Sequence, residues 1–376
     1  MRPCIKFRGK TIEHLLFVKH FNINGVFFEK AYSNLFFEKK RHSMTDFSNV
    51  IQVGVSMLLI VILGFTLTKL NIIPKCESDL INKFSARICF FALTFRSLAG
   101  NNIREMNFMP LAVGGLLVII GYIICLPMLL IPMKSRFATY ISTTFPTIYV
   151  NYVISGIPIF ESMWDPAEAT VIPIIFLSND LIASPIFFIL ANVNEIMIEN
   201  RRLVAEGKPK RKFSFRTIIQ IILNMCQNMF LIGNIFGLIY ASTAWKVCTF
   251  VREAMKLLGD CVLAFSLFCV GAFLSQHSLI SCHWSQFVFA MIMKLIIAPL
   301  IMCLLCAAFK LPSRLARQCI ILSGQPTAAS CFAITDTAKL GTGVSSTMIF
   351  WSTFGFIPLL VLWVYVLDTL HLFPDN

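Results

Sequence analysis

Apolar residues in this chain come in blocks of about twenty separated by short polar stretches, the length a helix needs to cross about 30 Å of hydrocarbon at 1.5 Å per residue. The blocks fall at about 48–70, 80–99, 110–132, 139–160 and 168–192, then at about 217–241, 251–275, 285–309, 315–335 and 344–368. Each predicts a membrane-spanning helix. The expected fold is an all-α polytopic membrane protein with ten transmembrane helices.

The longest polar interval between blocks, NEIMIENRRLVAEGKPKRKFSFR, runs from Asn194 to Arg216 and divides the spans five and five. An odd number of crossings per half means that related halves would enter the membrane from opposite sides, as an inverted repeat. The domain reading is a basic extension at 1–43, a first five-helix repeat at 44–192, a basic loop at 193–216 and a second repeat at 217–376. Arg201, Arg202, Lys208, Lys210, Arg211, Lys212 and Arg216 place the loop in the cytosol by the positive-inside rule. The segments ESMWDPAE and DTLHLFPDN, free of Lys and Arg, agree with an exterior position for the opposite ends. The segment holding Lys310, Arg314 and Arg317 disagrees, being basic where the exterior is expected. The first 43 residues carry nine Lys or Arg against three acids on what would be the outer side. Met44 opens a better lead into the first span, so these residues read as an upstream extension or a mis-assigned start, with a genuine basic arm as the alternative.

Composition agrees with a lipid environment: 57% of residues are hydrophobic and 14% charged, with mean hydropathy +0.77. Soluble domains carry about a quarter charged residues. The net charge of +13 does not indicate nucleic acid, because the basic residues lie at the N-terminus, in the central loop and in caps beside apolar blocks, where headgroups solvate them. The thirteen Cys are scattered through apolar blocks and read as small buried hydrophobes. Cys303 and Cys306 form a C-x-x-C with no partner pair to complete a zinc shell, so no metal or other cofactor is expected.

Two spans carry helix-breaking residues in matching positions of the two halves. The fourth, YVNYVISGIPIF, contains Asn151, Gly156 and Pro158; the ninth, SGQPTAASCFAITD, contains Gly324, Gln325 and Pro326. Unwound backbone at membrane depth is tolerated where it lines a cavity, and paired interrupted spans point to a carrier's binding site. Half-helix N-termini facing the gap present partial positive charge and free amides. A carboxylate suits that environment, and Asn151 and Gln325 add neutral donors that avoid the desolvation cost of a buried Lys.

The run NYVISGIP resembles the fourth-helix break of the auxin efflux carrier family, the PIN-type and PIN-like membrane transporters. INKFSARICFFALTFRS is similar to that family's second helix, LLGDCVLAFSLFCVGAFLS to its seventh and MKLIIAPLIM to its eighth. The resemblance covers about Ser48 to Leu370. It implies two inverted five-helix repeats with helices four and nine crossing at their breaks, and an elevator-like movement of helices three to five and eight to ten against a scaffold of one, two, six and seven. It also implies an anion held near the crossover, carrying Asn151, Gly156 and Pro158 over as site positions and Pro326 with them. Phe91 departs from the family, whose members usually have proline there, and the short central loop is unlike that of plasma-membrane plant members.

Charges inside spans cost at least about 2.5–3.5 kcal/mol at the bilayer centre. Lys83, Arg87 and Arg96 lie near span ends and read as snorkelling to the interface; Asp260, at the start of the seventh span, reads as an interface contact. Asp180 and Lys294 fall near mid-membrane and are candidates for a pair, either fixed and structural or coupling proton movement to transport. Asn179 beside Asp180 is a candidate cavity residue.

These readings predict a secondary transporter of a small organic anion such as auxin or another carboxylate. Its partners would be the substrate and the lipid bilayer, with a homodimer as a candidate assembly, in the plasma membrane or an endomembrane such as the endoplasmic reticulum. Alternatives are a membrane sensor of a sterol, lipid or acid that signals through a partner, and a bile-acid-type sodium symporter. No G-x-S-x-G, H-E-x-x-H or P-loop pattern occurs, so an enzyme is not expected.

Overall fold

The computed structural model describes residues 47–104, 106–130, 135–210, 229–243, 245 and 247–374, and every regular element among them is helical. The extension at 1–43 and residues 217–228 of the sixth predicted span lie outside the described residues.

In chain order α1 is Phe47–Lys69, α2 Lys75–Phe84, α3 Phe90–Ala99, α4 Met109–Ile124, α5 Arg136–Ile148, α6 Gly156–Met163, α7 Val171–Ser178 and α8 Ser184–Ala205. They are followed by α9 Met229–Ser242, α10 Thr249–Leu274, α11 Trp284–Ile292, α12 Ala298–Ala308, α13 Ser313–Ser323, α14 Ser330–Thr337 and α15 Thr342–Thr369. Six helical stretches among the described residues are long and apolar enough to cross a membrane: 48–69, 109–130, 166–205, 249–274, 284–308 and 342–369.

The central interval is shorter as a loop than its polarity predicts. α8 continues through Asn194 to Ala205, because the apolar run of Ile196, Met197 and Ile198 extends its packing past the polar Asn194 and no breaker intervenes until Gly207. There the chain turns with φ +69°, and Lys208 N donates to Leu203 O at 2.8 Å while Gly207 N donates to Val204 O at 3.1 Å. That is a glycine-closed helix end.

Three wide π-helical turns, Ser85–Cys89, Asn179–Ala183 and Met293–Ile297, join α2 to α3, α7 to α8 and α11 to α12. Two have a proline, Pro185 and Pro299, in the first turn of the helix that follows. A proline there leaves one carbonyl of the preceding turn without its amide, which favours local widening. The turn at Ser85–Cys89 has Phe91 in the corresponding place, so it forms without the proline.

The helices pack as two groups. α1, α2, α3, α9 and α10 contact one another, and α4 to α8 pack with α11 to α15. α1 also touches α6 and α15, and α3 touches α7. α1 and α10 approach so closely that a Cβ on Gly64 would overlap the carbonyl of Phe268, and one on Gly271 the carbonyl of Val61. Small residues at such a crossing let backbones pack where lipid offers no hydrophobic drive.

Both arginines of the basic segment that conflicts with the charge rule are neutralised in place. Arg314 forms a two-pronged pair with Glu168 at 2.7 and 2.8 Å, Gln318 donates to the same carboxylate at 2.7 Å, and Arg317 pairs with Asp368. The acids come from the two segments that lack Lys and Arg, so all three segments gather at one end of the molecule. Arg96 likewise does not simply reach for the interface: its Nη1 meets Asp260 Oδ1 at 2.9 Å. The single-helix view of each charge missed this because the partners are 164 residues apart.

Candidate functional site

The fourth and ninth predicted spans are both interrupted. α5 ends at Ile148, Tyr149–Ser155 is non-helical, and α6 resumes at Gly156. Pro158 therefore stands in the first turn of the second half-helix, where a missing amide costs nothing, and not in the gap. In the other half α13 ends at Ser323 and α14 starts at Ser330, with Pro326 inside the gap.

The two gaps cross, and each completes the other's hydrogen bonding. Val150 and Thr327 form an isolated antiparallel bridge, with Asn151 N donating to Pro326 O at 2.8 Å and Ala328 N to Tyr149 O at 3.4 Å. Side chains satisfy further groups of both gaps, as buried backbone requires. Asn179 Nδ2 donates to Val150 O at 2.7 Å, and Lys294 Nζ to Tyr149 O at 3.1 Å. Thr327 N donates to Ser352 Oγ at 2.9 Å, and Thr327 Oγ1 to Pro146 O at 2.8 Å.

The predicted site residues take different places around this crossing. Asn151 lines a cavity of about 490 Å³; its Oδ1 accepts from Ile154 N at 3.1 Å, which leaves Nδ2 as its donor toward the cavity. Asn179 is fully buried and braces the backbone behind the cavity. Gly156 packs against the second gap, since a Cβ there would lie 3.1 Å from Leu322 and 4.0 Å from Gln325. Gln325 is fully buried, with Nε2 donating to Ile321 O at 3.3 Å and Oε1 without a partner among the described residues. Gln325, Gly156 and Pro158 stand outside the lining of this cavity, and Pro326 borders a small neighbouring one of about 10 Å³ that Asn151 also lines.

Asp180 lines the cavity, and Lys294 lies wholly buried behind it. The two are joined through Tyr149, whose hydroxyl donates to Asp180 Oδ1 at 3.5 Å while its carbonyl accepts from Lys294. Both charges sit in π-helical turns, which widen a helix and are frequent at functional positions.

Tyr149, Ser184, Ser330 and Thr337 complete the polar lining. None of the four is distinguished by composition. Ser330 alone carried a local signal, being the first helical residue after the ninth-span interruption, so that it presents a half-helix N-terminus to the cavity. Phe90 and Leu231 from one helix group and Phe176, Phe188 and Ile334 from the other form apolar walls. The cavity thus lies between the two groups, and its size suits a small molecule held by few polar contacts.

The sequence matches no curated protein closely enough to count as a relative. A family model described as membrane transport protein matches residues 50–364, from α1 into α15. With most of the chain matched, and with several helices able to cross a bilayer, this is a multi-pass membrane protein that belongs to the membrane transport protein family.

Proposed function

We propose that the protein is a secondary carrier that moves a small organic anion, auxin or another carboxylate, across the plasma membrane or an endomembrane. The observation that carries this reading is the bridge between Val150 and Thr327 beside the cavity holding Asn151 and Ser330. Two unwound segments satisfy each other and leave the N-terminus of α14 at Ser330 and one side-chain amide for the ligand, which favours an anion over a cation.

The resemblance to auxin efflux carriers supports ten spans in two inverted halves, and the packing of the helices in two groups supports an elevator motion of one against the other. The cavity between the groups is the place where such a motion would carry a substrate. Asp180 in the lining, linked to Lys294 through Tyr149, gives the carrier a group able to exchange a proton against the anion's charge.

The test is uptake of radiolabelled carboxylates into liposomes containing the full chain, compared with the Asn151→Ala protein. The expected result is uptake of at least one acid above the empty-liposome rate and its loss in the variant. If every acid crosses at the empty-liposome rate while a sterol or lipid binds tightly, a membrane sensor replaces the carrier.

A further inference from the structure

A second cavity, of about 380 Å³, lies away from the crossing, between the start of α5 and the extension of α8 beyond its predicted span. Asn194, Met197, Ile198 and Arg201 line it from α8, at spacings that put all four on one helical face. Ser135 and Arg136 line it from the other side.

Ser135 is the N-cap of α5, with extended backbone at φ −137° and ψ 90°, and its hydroxyl does not close the helix end. The amides of the first turn of a helix have no intrahelical acceptor, and this end carries partial positive charge. Asn194 supplies the second, independent observation. It is 7% exposed, lines the cavity, and its amide has no hydrogen-bond partner among the described residues. That amide opens on the cavity, where the oxygens of a ligand can meet it. Arg136 and Arg201 are exposed at the mouth and make no ion pair among the described residues.

Two arginine forks, a helix N-terminus and an amide converging on one volume match the oxygens of a phosphate, which guanidinium groups bind in two-pronged fashion. We propose that this pocket binds a phosphate monoester, carried by a membrane lipid or by a soluble metabolite. Position and rim favour the lipid. Residues 194–201 lie two to nine positions past the predicted end of the fifth span at 192, roughly 3–14 Å farther along the same helix. The headgroup layer there is about 5–8 Å thick. Met197 and Ile198, which line the pocket, are 41% and 55% exposed, as acyl chains beside a headgroup would require. The pocket is built wholly from helices of the group that includes α5 and α8, so its ligand would load one group of helices and not the other.

The experiment is native mass spectrometry of the purified full chain in detergent with phosphatidate or phosphatidylcholine, together with calorimetric titration of glycerol 3-phosphate. Wild type is expected to retain phosphatidate and not phosphatidylcholine. Arg136→Gln, Arg201→Gln and Asn194→Ala should each weaken binding by about ten-fold, while Lys208→Gln and Lys210→Gln, cations outside the pocket, leave it unchanged. Arg136→Lys, which keeps the charge and loses the fork, should fall between. Thermal unfolding is followed for every variant, so a binding loss at unchanged stability is a site effect. Binding of glycerol 3-phosphate with the same arginine dependence supports the pocket with a soluble ligand. Equal losses from the loop lysines, or no binding of either phosphate compound above the phosphatidylcholine level, overturn the proposal.

Discussion

The amide of Asn151 donates to the carbonyl of Pro326 at 2.8 Å, joining residues 175 positions apart across the crossing of two interrupted helices. Neither gap could stand alone in lipid, since an unmade hydrogen bond there costs several kcal/mol. The pair is therefore a single structural unit, and residues that brace it should behave as one.

Asn179 is the brace on the first gap. Asn179→Leu removes the donor to Val150 O and leaves a buried carbonyl unsatisfied, at a cost of about 1–3 kcal/mol. Thermal unfolding in detergent should shift downward, and transport should fall with it. Ser352→Ala, which removes the acceptor of Thr327 N in the second gap, should give a similar shift. The double variant should lose less than the sum, because both changes loosen the same crossing.

Asp180 and Lys294 communicate through Tyr149. Asp180→Asn and Lys294→Met should show a coupling of about 0.5–3 kcal/mol in a double-mutant cycle read by transport rate. In a Tyr149→Phe background, where the hydroxyl contact to Asp180 is gone, the coupling should shrink toward additivity. An undiminished coupling would show that Tyr149 is a bystander.

The close crossing of α1 and α10 predicts a sharp contrast between glycines. Gly271→Ala places a methyl against the Val61 carbonyl and should destabilise by about 1–3 kcal/mol or prevent folding. Gly100→Ala, whose nearest neighbour would be the Arg96 carbonyl at 3.9 Å, should be tolerated. Fluorescence-detected size exclusion after heating distinguishes the two.

Glu168 holds α13 through Arg314 and Gln318. Because both partners of the ion pair are about one third exposed, Glu168→Gln should cost about 1 kcal/mol or less after solvent screening. The charge-swapped protein, Glu168→Arg with Arg314→Glu, should recover much of the loss, whereas either reversal alone should not. Thermal unfolding at low and high salt checks this, the difference narrowing as salt rises.

The sequence by itself determined the helical, membrane-spanning class, because blocks of apolar residues at span length leave a chain no way to cover itself with polar surface. It also located both interruptions, since Pro and Gly act through the local backbone; yet the first gap opened before Gly156, at Tyr149–Ser155, with Pro158 starting the next helix. Asn151 was legible as a cavity residue for the same local reason. Only the tertiary structure decided that Gln325 turns inward against Gly156, that Lys294 reaches a carbonyl of the gap, and that Arg96 meets Asp260. Those are contacts between elements far apart in the chain, and no periodicity within one helix encodes which distant carbonyl or carboxylate will come to face it.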